Sequence, residues 1–196
     1  MNNSIALTDR FERALVYATQ VHGGQLRKGS TTPYIAHLLA VAATVLEYGG
    51  DDDLAIAGLL HDSAEDQGGR GRLQDVRNRF GDRVASIVEA CSDSLANTAA
   101  GEIKPEWRQR KEAYVEHLNR ADDDVLRVSL ADKVHNARSI LRDLRTPATG
   151  EKVVSLQSTE RPDALVLSLR CKDLSPTPAG QLANELHDIV DALGRG

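Results

Sequence analysis

The chain has 196 residues, 41% of them hydrophobic, and a formal net charge of −5, with a pI of about 5.7. That length fits one domain with an appended segment. The acidic balance argues against a nucleic-acid binder, whose surface would be basic, and no apolar run is long enough to span a bilayer. Aromatic residues make up only 4%, so a core must come from Leu, Val, Ile and Ala, which suits packed helices better than a sandwich of strands.

The opening Met1-Asn2-Asn3-Ser4-Ile5 has no charged stretch followed by an apolar one, so no signal peptide is expected. Cys91 and Cys171 are far apart and in no metal spacing; they read as reduced thiols of a cytoplasmic protein. Thr8-Asp9 caps a first helix running to about His22, with Phe11, Leu15, Ala18 and Val21 at helical spacing. Gly23-Gly24 ends it. The polar loop Gln25 to Thr32 carries two adjacent cations, Arg27 and Lys28. Such a pair is more often a solvated loop tip than a phosphate clamp, and its weight depends on what lies beside it.

Pro33 opens a second helix at its first turn. Ile35, Leu38, Val41, Val45 and Leu46 form its buried stripe, and His37 sits on that inward side. A lone histidine on an apolar face is more often a satisfied core residue than a ligand. Gly49-Gly50 stops the helix, and Asp51-Asp52-Asp53 reads as a cap for the next one, not as a metal site.

The third helix carries the stretch around which the chain is organised, Ala57-Gly58-Leu59-Leu60-His61-Asp62-Ser63-Ala64-Glu65-Asp66. At helical spacing His61 and Glu65 lie one turn apart, as do Asp62 and Asp66, so one helix projects all four from adjacent strips. An imidazole beside a carboxylate can ligate one divalent ion, and the two later carboxylates can handle the proton of an attacking water. The bland alternative is an apolar face that ends in a solvated one.

Gly68 to Gly71 reads as a flexible rim loop. A short helix with Leu73, Val76 and Phe80 follows, then Gly81-Asp82, then an amphipathic helix from about Arg83 to Ala90. Cys91 to Gly101 reads as a loop. Pro105 begins a helix with Trp107, Arg110, Lys111, Tyr114 and Leu118, and an all-α fold leaves room for a small hairpin near the loops. Asp122-Asp123-Asp124 starts a long helix whose Leu126, Leu130, Val134 and Leu141 point inward, with Asp132 inside this apolar run and Asn136 one turn on. A carboxylate there is costly unless it is paired or holds a metal; a structural salt bridge would also satisfy it. From Thr146 to Pro178 the periodicity fades, and Ala164 to Leu169 reads equally as strand or helix. Thr177-Pro178 starts a final amphipathic helix with Leu182, Leu186, Ile189, Val190 and Leu193.

Three helices thus bring His37, the pair His61-Asp62, and Asp132 toward one core. Two imidazoles and two carboxylates form a mixed nitrogen and oxygen set suited to Mn, Fe, Zn or Mg. The expected fold is all-α, a helical bundle with a metal site between helices.

This pattern of H, HD and D on helices resembles the HD-domain metal-dependent phosphohydrolases. Arg27-Lys28 with Pro33-Tyr34-Ile35-Ala36-His37, His61-Asp62-x-x-Glu65-Asp66, Phe80-Gly81, and Leu130-Ala131-Asp132-Lys133-Val134-His135-Asn136-Ala137-Arg138 are similar to the hydrolase domain of RelA/SpoT-type enzymes and to the small alarmone hydrolases. The similarity spans roughly residues 8 to 145. Those enzymes remove pyrophosphate from the 3′ position of guanosine tetra- or pentaphosphate (ppGpp or pppGpp), usually with Mn²⁺. The resemblance implies His37, His61, Asp62 and Asp132 as metal ligands and Glu65 and Asp66 as the acid/base pair. It implies Arg27 against the guanine base with Lys28 beside it, Asn136 near ribose and phosphates, and Arg138 on the phosphate side. It implies an HD hydrolase domain over 1–146 and a C-terminal extension over 147–196 whose last helix packs on the core. The partner would be a small nucleotide, with neither nucleic acid nor membrane. Two readings compete: an HD phosphohydrolase acting on another nucleotide or phosphoester, and a non-catalytic nucleotide-binding HD module.

Overall fold

The computed structural model describes residues 6–145 and 177–193, and among them the fold is all helical. The elements are α1 (Asp9–Val21), α2 (Ile35–Glu47), α3 (Asp52–Leu60), α4 (Ser63–Asp66), α5 (Gly69–Phe80), α6 (Asp82–Cys91), α7 (Trp107–Leu118), α8 (Asp123–Arg145) and α9 (Pro178–Leu193). The stretch from Ala164 to Leu169, the 146/147 boundary and Cys171 lie outside the described residues.

α3 is the central helix. Every residue from Leu54 to Leu60 is buried, as expected of a helix that is apolar all round. α1, α2, α6 and α8 all pack on it. Its Ile56, Leu59 and Leu60 are fully buried, as are Leu38 of α2 and Leu130 of α8, each contributing about 1.5–3 kcal/mol by leaving water. Gly58 lets α2 close in: a Cβ there would stand 3.2 Å from the Ala42 Cα. That approach draws His37 on α2 toward the C-terminal end of α3. α9 lies along α8 and buries Ala179, Leu182 and Leu186.

The helix starts follow their caps. The Thr8 hydroxyl accepts from the Arg10 N–H, Asp51 Oδ1 accepts from Leu54 N–H at 3.0 Å, Asp122 Oδ1 accepts from Val125 N–H at 2.9 Å, and Thr177 Oγ1 accepts from Gly180 N–H at 3.1 Å. The Asp51–Asp53 run also binds cations, Arg83 on Asp51 and Arg10 on Asp53, each at 2.6 Å. These pairs tie α1 and α6 to the start of α3.

Several expectations need correction. The organising stretch is not one continuous helix. α3 stops at Leu60, His61 and Asp62 form a turn, and α4 begins at Ser63. Ser63 Oγ donates to the Leu60 carbonyl at 2.6 Å, so a side chain takes a carbonyl that a continuing helix would use. Residues 69–71 are not a loop but the first turn of α5. Gly69 adopts a φ of +62°, and a Cβ on it would stand 2.4 Å from the Leu95 carbonyl oxygen; glycine is there for close backbone approach. Pro33 precedes α2 rather than opening it, and Tyr34 stands at its cap. In place of a hairpin, a lone antiparallel bridge joins Leu26 and Pro33 among the described residues. It closes the loop that carries Arg27 and Lys28.

Candidate metal centre and its surroundings

Two helices and the α3–α4 turn deliver side chains to one buried point. His37 comes from the first turn of α2, His61 and Asp62 from the turn, and Asp132 from the middle of α8. One ligand atom each from His37, His61 and Asp132 all lie within 4.8 Å of one another, and these three residues are buried. His37 Nε2 is 3.2 Å from Asp132 Oδ1 and 3.6 Å from Asp62 Oδ2. His61 Nε2 is 2.9 Å from Asp62 Oδ2 and 3.8 Å from Asp132 Oδ1.

The histidine orientations are fixed from behind. His61 Nδ1 lies 2.9 Å from the Gly58 carbonyl oxygen, so Nδ1 keeps a proton and Nε2 is the atom that faces the carboxylates and would offer its lone pair to a cation. That buried Nε2 has no hydrogen-bond partner among the described residues. An orphaned buried nitrogen in a cradle of carboxylates suits a divalent cation. The convergent atoms of His37, His61 and Asp132, with Asp62 against both imidazoles, therefore fit a metal ion.

The charges agree with that reading. Burial alone would lower the His61 pKa, but Asp62 and Asp132 outweigh it and hold it at about 9. Burial opposes ionisation of Asp62 and Asp132, yet His61 and His37 hold Asp62 well below the usual carboxylate range. Lys133, His37 and His61 do the same for Asp132. Without a cation, a proton on His61 offsets the neighbouring carboxylates; a cation would replace it.

A ring of polar contacts surrounds the four. Tyr34 Oη donates to Asp62 Oδ2 at 2.6 Å. Lys133 Nζ donates to Asp132 Oδ2 at 2.7 Å, and Asn136 Nδ2 donates to Asp132 Oδ1 at 2.7 Å. Arg27 Nη2 donates in turn to Asn136 Oδ1 at 2.9 Å. Arg27 on the bridged loop is thus linked to Asp132 through one amide, which places its guanidinium beside the centre. Lys28 is exposed.

Glu65 and Asp66 diverge once α4 has started its own helix. Glu65 accepts on both oxygens, from Asp93 N–H at 3.1 Å and from Lys104 Nζ at 3.0 Å. Burial, and then the neighbouring Asp93 carboxylate, raise its pKa to about 7, against the pull of Lys104. Asp93 is itself clamped by Arg110 and Lys111 of α7. Asp66 accepts from Gln25 Nε2 at 2.9 Å. Gln25 also reaches His22 Nδ1 at 2.8 Å, and the His22 ring stacks on Tyr34 with centroids 5.2 Å apart.

Of the residues singled out in the sequence, the structure brings together His37, His61, Asp62, Asp132, Asn136 and Arg27, with Glu65 and Asp66 on the adjoining turn. Arg138 is directed elsewhere: its guanidinium pairs with Glu185 of α9, and Tyr48 Oη donates to the same carboxylate at 2.6 Å. Sequence reasoning passed over Tyr34, Lys133, His135, Asp93 and Lys104. Tyr34 had a usable signal, standing one helical turn before His37. Asp93 and Lys104 had none, since they come from an aperiodic loop.

The family model described as HD domain matches residues 14–156. A guanosine-3′,5′-bis(diphosphate) 3′-pyrophosphohydrolase of Aquifex aeolicus is 35% identical over 133 residues, 67% of this chain and 18% of that protein. The bifunctional (p)ppGpp synthase/hydrolase SpoT of Escherichia coli K12 is 34% identical over 137 residues, covering 67% and 18%. A GTP pyrophosphokinase of Streptomyces coelicolor is 38% identical over 131 residues, covering 67% and 15%. The chain thus spans less than a fifth of the length of the curated relatives it matches. Among solved structures, a metazoan ortholog of SpoT described as hydrolysing ppGpp superimposes with a TM-score of 0.71 at 26% identity, over 97% of this chain and 99% of that one. A protein from Listeria monocytogenes EGD-e shares the fold, with a TM-score of 0.59 at 24% identity over 82% and 99% of the two chains.

Proposed function

The chain belongs to the HD-domain family, and from that premise we propose that it is a divalent-metal-dependent pyrophosphohydrolase converting guanosine 3′,5′-bis(diphosphate) to GDP and pyrophosphate. The observation that carries the proposal is the buried convergence of His37, His61 and Asp132 ligand atoms within 4.8 Å, joined by Asp62 and flanked by a carboxyl group titrating near neutrality.

His37 Nε2, His61 Nε2, Asp62 Oδ2 and Asp132 Oδ1 would hold the cation, with Mn²⁺ the ion that the resemblance suggests. Such an ion supplies Lewis acidity to the attacking water and to the phosphoryl oxygens. Glu65 accepts the proton of that water. A base works best with a pKa near the working pH, and its environment puts Glu65 there. The Asp93 N–H and Lys104 keep its carboxylate from rotating, leaving its remaining lone pairs for the water. Asp66, tethered by Gln25, is the companion that returns a proton to the leaving side. Arg27 offers a planar cation on which a guanine can stack, and Asn136 holds it in register with Asp132. Local cations let an acidic protein take a polyanion.

A second reading has its own support. Arg138 is bound to Glu185, so the phosphate side has one cation fewer than the resemblance implies. That favours a less charged nucleotide or phosphoester at the same centre. Incubating the protein with Mn²⁺ and a panel of nucleotides, scoring pyrophosphate and orthophosphate separately, decides between them. Pyrophosphate from guanosine tetraphosphate supports the first reading. Orthophosphate from simple nucleotides, with guanosine tetraphosphate untouched, supports the second.

A further inference from the structure

His37 and His135 meet ring to ring. Their Nδ1 atoms are 2.7 Å apart and their ring centroids 4.8 Å apart. Two imidazole nitrogens at that distance share one proton, so one ring donates and the other accepts. The direction is set by the far side of His37. Its Nε2 lies 3.2 Å from Asp132 Oδ1 and is one of the atoms that gather within 4.8 Å. To offer a lone pair there, a neutral His37 must carry its proton on Nδ1, and the acceptor standing at that atom is His135 Nδ1.

His61 solves the same problem differently. Its Nδ1 faces a backbone carbonyl, Gly58 O, at 2.9 Å. That acceptor belongs to the main chain and cannot be removed by a side-chain change. His37 relies instead on a residue from another helix, three positions after Asp132 on α8. The opposite tautomer of His37 has partners of its own: Nε2–H toward Asp132 Oδ1 and a proton received from His135. The His37–His135 pair is therefore a two-state element, and a cation selects between its states.

We infer that His135 is a positioning residue for the cation: by accepting the His37 Nδ1–H it stabilises the tautomer whose Nε2 lone pair faces His61, Asp62 and Asp132. The inference rests on the metal-site part of the proposed function and adds a residue to it. His135 does not touch the cation or the substrate. Removing its acceptor leaves a buried N–H without a partner whenever the ion is bound, and that cost appears as lost affinity.

The test is calorimetric titration of Mn²⁺ into the metal-free wild type, His135→Phe and His135→Asn, each with a thermal melt. Asparagine can place an oxygen near the position of Nδ1; phenylalanine keeps the ring and offers no acceptor. His135→Phe should weaken Mn²⁺ binding by about 10- to 100-fold while its metal-free melting temperature does not fall in proportion, and His135→Asn should recover most of the affinity. Nitrogen NMR of the histidines in Zn²⁺-loaded wild type gives a readout that needs no variant: His37 should carry its proton on Nδ1, and His135 on Nε2. His135→Phe binding as tightly as the wild type overturns the inference, and so does a loaded protein with the His37 proton on Nε2. A wild type that takes up no cation at all overturns the metal site itself, which is a different result from a wild type that binds and a His135→Phe that binds equally.

Discussion

Glu65→Gln separates two effects of a single carboxyl group. The Glu65 side chain is 22% exposed, and burial with Asp93 beside it raises its pKa from 4.5 to about 7. One pKa unit corresponds to about 1.4 kcal/mol, so ionising this carboxyl in the folded state costs about 3 kcal/mol. The folded-state pKa lies above the unfolded one. Its contribution to stability is therefore fully present below the unfolded value and is lost as pH rises through about 7. Glutamine does not ionise, yet keeps an acceptor oxygen for the Asp93 N–H. The unfolding free energy of the variant minus that of the wild type should climb by about 2–3 kcal/mol between about pH 5 and about pH 8.5, with the unpaired Lys104 trimming the gain. Activity should move the other way: kcat should fall about 10²- to 10⁴-fold, the usual contribution of a general base, with metal affinity unchanged. Urea melts at the two pH values and product release at saturating metal read both. A stability difference that is flat with pH refutes the buried-carboxylate argument, and a near-wild-type kcat refutes the role in proton transfer.

Other substitutions probe separate parts of the account. In the wild type, kcat/KM should fall as pH drops through about 7, where Glu65 becomes protonated; Lys104→Met removes the cation that favours the ionised form and should shift this limb to higher pH in a pH–rate profile. Asp132→Ala removes a buried ligand that also receives Lys133 and Asn136, so the purified variant should retain no metal after gel filtration and show no turnover; wild-type metal content would count against the assigned centre. Gly69→Ala places a Cβ 2.4 Å from the Leu95 carbonyl oxygen at a φ of +62°, and should destabilise by about 1–3 kcal/mol; an unchanged melting temperature would show that the α4–α5 junction yields freely.

What could be read in the sequence was what depends on local pattern. Asp51 and Asp122 announce helix starts because a carboxylate accepts from the N–H three residues on. His37, His61-Asp62 and Asp132 stand out because each interrupts an apolar run at helical spacing. The break after Leu60 could not be read, since His61 and Asp62 keep right-handed helical dihedrals and no glycine or proline marks the turn. Residues 68–71 suggested a loop because glycine disfavours helix; the reason for Gly69 lies across space, in the Leu95 backbone. Glu65 was visible, but not the Asp93 and Lys104 that control it, which are 28 and 39 residues away. Arg138 was placed on the phosphate side by the family resemblance, and α9 turns it toward Glu185, 47 residues on.

The measurement that tests the central claim most directly is incubation of the purified protein with guanosine tetraphosphate and Mn²⁺, alongside an EDTA-treated control, with the products resolved. The account predicts GDP and pyrophosphate in equal amounts, abolished by EDTA and restored by added Mn²⁺. Full turnover in EDTA, or no turnover in a protein shown to hold its metal, would contradict it.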